Sequence, residues 1–232
     1  MWTLDDTARL GDTLGVRTPL RLIGVVAAAL IFATACDDSP LTDPSGPGDL
    51  LPTDTAGAAA AQASLASLTV SDQHPMTGYS RERFPHWRKT GANCDVRDAV
   101  LQRDGKDVKL DGCNVTTGTW YSWYDAKTYT DPLQVDIDHM VPLANAWRSG
   151  ADKWTDDKRS DFANDMDRPQ LFAVSASANR SKGDQDPSTW KPTNHDVWCE
   201  YAKDWIAVKS YWKLNVTEKE RAALAAMLAT CA

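Results

Sequence analysis

The stretch Asp136-Ile137-Asp138-His139-Met140-Val141-Pro142 holds the densest group of chemically useful side chains in this 232-residue chain. Residues 134–138 alternate between polar and apolar, which predicts a short β-strand with Asp138 and His139 on opposite faces. Pro142 cannot donate to a strand ladder, so the strand must break near it. A bend at that point would let the carboxylate of Asp138 and the imidazole of His139 reach one site.

Two later segments carry polar and cationic groups that suit the same site: Arg168-Pro169-Gln170-Leu171 and Asn179-Arg180-Ser181-Lys182-Gly183-Asp184. Asp138 offers an anionic oxygen suited to Mg²⁺, and Asn179 offers a neutral oxygen as a second ligand. His139 has the ordinary pKa of a group that takes a proton from water near neutral pH. Arg180 and Lys182 add charge that is compatible with phosphate. Together these groups suit attack of water on a phosphodiester.

The order Asp-His-x-x-Pro, then a polar residue, then Asn-x-x-Lys-Gly-Asp resembles the ββα-metal (His-Asn-His, HNH) nucleases. More closely, the chain resembles the exported HNH-endonuclease-like proteins whose His-x-x-Pro domain was first defined as a domain of unknown function (DUF1524). This is the C-terminal domain type of GmrSD restriction enzymes. Other segments share the resemblance: Tyr79-Ser80-Arg81, Phe84-Pro85-His86-Trp87 and Cys94-Asp95-Val96-Arg97. It therefore covers nearly all of residues 76–232.

The resemblance implies an α+β domain over residues 76–232 with a ββα-metal core. The patterns described below add helices that include a C-terminal helical pair, and two disulfides. The resemblance also implies a metal-dependent endonuclease that hydrolyses DNA or RNA. His139 is then the general base, and Asp138 and Asn179 are the ligands of a divalent metal, Mg²⁺ first and Mn²⁺ second.

Five further residues are expected to support this site: Gln170, Lys182, Arg180, Arg81 and Arg97. Gln170 stands where the family pattern often has Asn, which orients the base or ties the metal loop, and Gln can make the same amide bonds one methylene further out. Lys182 and Arg180 are expected to hold the scissile strand. Arg81 and Arg97 are expected to contact substrate phosphates, with salt bridges to nearby Asp residues as an equal alternative.

Patterns elsewhere predict short strands at 108–110, 118–124 and 170–174, and helices at 95–103, 143–148, 156–163 and 176–182. Residues 195–212 carry an apolar stripe at helical spacing. Thr217 and Glu220 form a capping box that begins a final helix.

The N-terminus has the features of an export signal. Residues 22–35 are apolar and uncharged, follow Arg17 and Arg21, and precede Cys36. The run is shorter than the roughly 20 residues of a membrane span and fits a secretory signal. The segment resembles a lipoprotein cleavage site, so Cys36 is expected to carry a lipid anchor outside the cytoplasm. A plain secretory signal and an uncleaved anchor are the alternatives. Residues 1–15 are acidic, so translation is expected to begin at Val16.

The charge of the chain is unevenly distributed. The formal net charge is −7, yet residues 1–75 hold 3 basic and 9 acidic side chains, which leaves 22 and 23 for the rest. Residues 37–75 are expected to form a flexible acidic tether, whose weak helix at 56–68 lacks an apolar stripe wide enough to dock firmly. The near-neutral remainder excludes only tight, non-specific binding to nucleic acid.

With Cys36 lipidated, four of the five cysteines remain for disulfides, and they allow three pairings. We favour Cys94–Cys113 and Cys199–Cys231, because each pair brackets a local structural unit. Each bridge would contribute about 3 kcal/mol to stability.

Two other functional classes compete with the nuclease. One is a non-catalytic extracellular domain that binds cell-wall or glycan ligands through Trp120, Trp123 and Trp190. The other is a metal phosphoesterase that acts on small substrates. The expected partners are a nucleic-acid substrate and, through the lipid anchor alone, a membrane. Nothing in the sequence implies an obligate protein partner or an oligomeric state.

Overall fold

The structure, a computed structural model, describes residues 55–91 and 93–231. The predicted signal segment 1–36, the lipidated Cys36, the alternative start at Val16 and the first part of the tether lie outside the described residues. Within the described ranges, no helix has the length and apolar character needed to cross a membrane.

The described residues form a mixed α+β fold, which confirms the predicted class at that level. The helices are α1 (Thr55–Ser67), α2 (Val96–Asp104), α3 (Leu143–Arg148), α4 (Asp156–Ala163), α5 (Ala176–Lys182), α6 (Trp198–Trp212) and α7 (Glu218–Leu228). The strands are β1 (Lys106–Asp111), β2 (Asn114–Ser122), β3 (Lys127–Tyr129), β4 (Val135–His139) and β5 (Leu171–Ser175). Single 3₁₀ turns lie at Arg81–Arg83, Pro132–Gln134, Ala151–Lys153 and His195–Val197.

The strands pair in two antiparallel sheets, β1-β2-β3 and β4-β5. In the second sheet, Val135 lies opposite Ser175 and His139 lies opposite Leu171. The hydroxyl of Ser175 then accepts a hydrogen bond from the amide of Ala178, so β5 leads directly into α5. Two antiparallel strands followed by a helix therefore surround the Asp-His motif.

The two faces of β4 belong to different parts of the core. Val135 and Ile137 pack in a small cluster with α2, β2 and β5. Met140, just after the strand, packs in the larger cluster, whose members come mainly from α1, α3, α4, α6 and α7. The alternation of strand side chains thus assigns Asp138 and His139 to different surroundings.

The extent of the predicted tether is wrong at its C-terminal end. The weak helix at 56–68 forms as α1, and it packs against α6 and α7. Its buried side chains are Ala58, Ala61 and Leu65, which recur at a helical spacing. Small alanines let two helices approach closely, so a narrow stripe was enough for docking.

The disulfide predictions are confirmed. Cys94 pairs with Cys113, with Cα atoms 5.1 Å apart, and this bridge joins the start of α2 to the β1–β2 turn. Cys199 pairs with Cys231, with Cα atoms 5.0 Å apart, and joins α6 to the residues after α7. The capping box of Thr217 and Glu220 is also present.

The tryptophans proposed for glycan binding do not form an exposed face. Trp120 is buried in the small cluster, and its indole donates to the carbonyl of Leu101 at 2.8 Å. Trp123 and Trp190 are partly buried against the large cluster. These rings fill the interior because most of their area is apolar, and Trp120 also finds an internal acceptor.

The docking of α1 leads to a stability prediction. Leu65→Ala is expected to lower the free energy of unfolding by about 3 kcal/mol, because it removes a buried side chain from the α1–α6–α7 contact. Urea denaturation measures this loss. Ala66→Ser, at an exposed position of the same helix, should change the value by less than about 0.5 kcal/mol. Equal effects of the two substitutions would show that α1 does not dock.

Candidate active site

His139 ends β4 and is held by a single backbone carbonyl. Its Nε2 lies 2.9 Å from the carbonyl oxygen of Ala163, the last residue of α4. Because a carbonyl only accepts, Nε2 carries the hydrogen, and the lone pair of the neutral ring is on Nδ1. Among the described residues no group forms a hydrogen bond with this Nδ1. The atom is also not fully shielded from solvent. The ring therefore presents a proton acceptor.

Burial keeps this imidazole neutral. It lowers the pKa of His139 to about 3, against the opposing effect of the bond to Ala163. The charge of Arg81 contributes to this lowering of the pKa. The ring of Trp87 covers His139, with ring centroids 5.6 Å apart and ring planes 27° apart. His139 is therefore uncharged throughout the physiological pH range.

The segment that carries Trp87 is fastened to the helix that holds His139. The amide of Asn164 donates to the carbonyl of Pro85 at 2.9 Å and accepts from the backbone N–H of Arg88 at 2.9 Å. Ser160 donates to the same Pro85 carbonyl at 2.7 Å. These bonds hold Trp87 in a left-handed conformation, with φ 59°, that costs about 1–3 kcal/mol. The C-terminal end of α4 thus positions both aromatic rings.

Lys182 and Asp138 form a buried ion pair on the other face of β4. The ammonium of Lys182 donates to Oδ2 of Asp138 at 2.5 Å and to the carbonyls of His139 and Met140 at 2.8 and 2.9 Å. The Tyr124 hydroxyl donates to the same Oδ2 at 2.6 Å. Lys182 is fully buried, so it does not reach a surface where it could hold the scissile strand. Its predicted contact with substrate is wrong, because all three ammonium hydrogens have internal acceptors.

The two predicted metal ligands have different hydrogen-bond partners. Oδ2 of Asp138 is taken by Lys182 and Tyr124, whereas the amide of Asn179 donates to Asp136 at 3.3 Å. Within the described ranges, no three His, Cys, Asp or Glu side chains are placed to hold a metal ion. His139 faces away from Asp138, toward Trp87. Because Oδ2 of Asp138 is bonded to Lys182 and Tyr124, these contacts give no support to a metal at Asp138, and we assign no ligands to a metal.

Gln170 ties the residues after β4 to the start of β5. It is fully buried, its amide donates to the carbonyl of Val141 at 3.0 Å, and its oxygen accepts from the Val141 N–H at 3.1 Å. We expected Gln170 either to orient the base or to hold the loop in place, and its contacts are those of a residue that holds the loop. Nothing in these contacts brings it to the imidazole of His139.

The three predicted substrate arginines lie in different surroundings. Arg97 donates to the carbonyl of Val135 at 3.1 Å, which gives it a structural partner. Arg180 is 73% exposed and lies 3.5 Å from a carboxylate oxygen of Asp136. Arg81 is exposed on the 3₁₀ turn that precedes Trp87. Of the three, Arg81 is the one beside His139.

Several residues that shape the site carry no sequence signal for that role. Tyr124 completes the surroundings of Asp138, and Ala163 holds His139 through a backbone oxygen, which any residue type possesses. Arg159 is buried, and it donates to the carbonyls of Arg83 and Ala151 at 2.9 and 3.0 Å. The Phe-Pro-His-Trp segment was the one signal that could have identified Trp87.

Comparison with known proteins identifies the family. The family described as GmrSD restriction endonucleases, C-terminal domain, matches residues 95–227. This chain belongs to that family. A protein of Arthroderma benhamiae, described as an uncharacterized secreted protein, is 50% identical to this family member over 181 residues. The alignment covers 78% of this chain and 89% of that protein. No solved structure matches this GmrSD C-terminal domain protein.

The buried ion pair leads to a second prediction. Lys182→Met is expected to lower the free energy of unfolding by about 3–5 kcal/mol, because it leaves the Asp138 carboxylate buried without its cation. Lys219→Met removes an exposed lysine of α7, and should cost less than about 1 kcal/mol. Adding Asp138→Leu to Lys182→Met should recover part of the loss. Urea denaturation of the four proteins measures these differences.

The neutral His139 leads to a prediction about pH. Its pKa in the folded protein is about 3, below the ordinary value near 6.5, so the unfolded chain binds the proton more tightly. The stability contributed by neutral His139 is therefore complete above pH 6.5 and falls as the pH drops toward 3. Between pH 6.5 and 5 the loss from this group is about 2 kcal/mol.

Urea denaturation at the two pH values tests this assignment in His139→Gln, which cannot titrate. The substitution should make unfolding less dependent on pH than in the original chain. His195→Gln, at the exposed histidine of the turn before α6, is the matched control for the loss of a histidine. An unchanged pH dependence in His139→Gln would show that the imidazole is not buried and neutral.

Proposed function

We propose that this protein is an exported endonuclease that hydrolyses phosphodiester bonds of DNA or RNA, with His139 as the general base. The observation that carries the proposal is the single tautomer of His139. Nε2–H donates a hydrogen bond to the Ala163 carbonyl, which leaves the Nδ1 lone pair for a water molecule. The match to a family of restriction-endonuclease domains supports a nucleic-acid substrate.

The proposed reaction is a displacement at phosphorus by water. Nδ1 takes a proton from water as the water oxygen attacks phosphorus, and the bond from phosphorus to the 3′ oxygen breaks. The 3′ oxygen takes a proton from solvent, and Nδ1 of His139 then returns its proton to solvent. The products are a 5′ phosphate and a 3′ hydroxyl. A phosphate anion beside the ring raises the pKa of His139 from its low value, so the base is strengthened when substrate is bound.

Arg81 is proposed as the contact to the scissile phosphate. It is exposed, and its charge acts on His139. A guanidinium group can donate two parallel hydrogen bonds to phosphate oxygens, which would hold phosphorus in line with the attacking water. Lys182 then acts as a positioning residue, because its bond to the carbonyl of His139 holds the backbone of the base.

A divalent metal, Mg²⁺ or Mn²⁺, is proposed as a further requirement on the strength of the resemblance to ββα-metal nucleases. The antiparallel pair β4–β5 with α5 would be the corresponding core. Asp138 and Asn179 have separate partners, so no step of the reaction is assigned to the metal.

Export is supported by the apolar segment at 22–35 before Cys36 and by the two disulfides, which form in oxidising compartments. The relative from Arthroderma benhamiae, described as secreted, is consistent with this. We propose that Cys36 carries a lipid that anchors the enzyme outside the cytoplasm. A nearly neutral domain should bind nucleic acid weakly and lose affinity as salt rises.

Cleavage assays test the proposal. The full chain, with its disulfides formed, is incubated with plasmid, single-stranded DNA and RNA in Mg²⁺, Mn²⁺ or EDTA. We expect internal cleavage, and His139→Ala should slow it by about 10²–10⁴-fold, the usual contribution of a general base. His195→Ala removes an exposed histidine and is the matched control, expected to cleave as the original chain does.

The outcomes separate the parts of the proposal. Cleavage that His139→Ala leaves unchanged would contradict the assignment of the base. Cleavage that persists in EDTA would refute only the proposed requirement for a divalent metal. Hydrolysis of a small phosphodiester such as bis(p-nitrophenyl) phosphate, without cleavage of polynucleotides, would replace the nuclease with the phosphoesterase.

A further inference from the structure

A second histidine lies beside the candidate base. The ring centroid of His86 is 6.2 Å from that of His139, and the two planes are nearly perpendicular, at 85°. The ring of Trp87 contacts both, with its centroid 5.2 Å from His86. His86 therefore belongs to the cluster at the end of β4, although the sequence assigned it no role.

The hydrogen bonds of His86 determine its tautomer. Nδ1 lies 2.8 Å from the carbonyl oxygen of Phe84, so Nδ1 carries the hydrogen and donates. Nε2 of the neutral ring is then an acceptor, and it lies 3.3 Å from Nε of Arg81, which donates to it. Both ring nitrogens are occupied. His86 is thus placed to hold another side chain rather than to take a proton from water.

Arg81 differs from the arginines that follow it. Arg83 lies 3.4 Å from a carboxylate oxygen of Asp156, and Arg88 lies 2.7 Å from one of Asp161. Among the described residues, the terminal nitrogens of Arg81 have no hydrogen-bond or ion-pair partner; its contact is through Nε to His86. The two terminal nitrogens of the Arg81 guanidinium, whose spacing matches that of phosphate oxygens, are therefore available to donate hydrogen bonds.

We propose that His86 is a positioning residue that holds Arg81 so that its guanidinium grips the scissile phosphate beside His139. This inference rests on the proposed nuclease function. A long exposed arginine has many rotamers, and a bond at Nε restricts them before substrate arrives. His86 would therefore act on substrate only through Arg81.

A double-mutant cycle tests this dependence. Binding of a fluorescein-labelled single-stranded 20-mer to the full chain is measured by anisotropy in EDTA, and cleavage is measured separately. Arg81→Ala should weaken binding about tenfold, and should reduce the slope of log affinity against log salt by about one. His86→Ala should weaken binding about threefold to tenfold, raising KM more than it lowers kcat. Adding His86→Ala to Arg81→Ala should change nothing further.

Two further variants separate positioning from folding. His86→Gln places an amide oxygen near the position of Nε2 and should restore affinity to within about twofold of the original chain. Arg221→Ala removes an exposed arginine that pairs with Glu218 on α7, and should leave binding unchanged. Circular dichroism of each variant checks that the fold is retained.

Several results would overturn the inference. One is a loss of affinity in His86→Ala that persists at full size in the Arg81→Ala background. Another is His86→Gln behaving as His86→Ala does, and a third is the absence of any binding to the oligonucleotide. If cleavage requires His139 but the losses of binding in His86→Ala and Arg81→Ala add, only the role of His86 is refuted. Normal cleavage by His139→Ala would refute the proposed base, and the binding cycle would still report on Arg81 and His86.

Discussion

The ion pair between Lys182 and Asp138 is the interaction on which the rest of the site depends. A buried pair is stable only when its remaining hydrogen bonds are made, and here the ammonium also bonds the carbonyls of His139 and Met140. This links the end of α5 to the end of β4. Gln170 forms hydrogen bonds with both the N–H and the carbonyl of Val141, the residue after Met140. The backbone of residues 139–141 is thus held from two directions, and the direction of the His139 ring follows from it.

The two faces of β4 place Asp138 and His139 in different surroundings. Asp138 points into the interior, where Lys182 and Tyr124 occupy its Oδ2. His139 points the other way, where the end of α4 supplies its hydrogen-bond acceptor and Trp87 covers its ring. Adjacent residues of a strand must diverge in this manner, because side chains alternate between faces. The carboxylate is therefore satisfied inside the protein, and the imidazole is the group that we propose as the base.

Much of the fold was predictable because it depends on local rules. Capping residues such as Thr217 and the alternation along β4 indicate elements that the structure contains. The docking of α1 was missed, since a stripe of alanines is weak as a hydrophobic signal yet permits close helix packing. In the site, His139 was identified from the sequence as the candidate base, whereas Lys182 was assigned to substrate. Sequence alone cannot separate a lysine that binds phosphate from one that neutralises a buried carboxylate, since both uses need the same charge.

By itself, the sequence determined the α+β class, the pairing preference of the cysteines, the Asp-His motif and the family to which it points. These follow from periodicity, spacing and residue chemistry, which are properties of short segments. Only the tertiary structure decided which polar groups remain available. It satisfied Asp138, Lys182 and Gln170 internally, and it left Nδ1 of His139 and the terminal nitrogens of Arg81 without protein partners among the described residues. The physical reason is that hydrogen bonding of buried groups is completed by distant segments, including backbone carbonyls that any residue can provide.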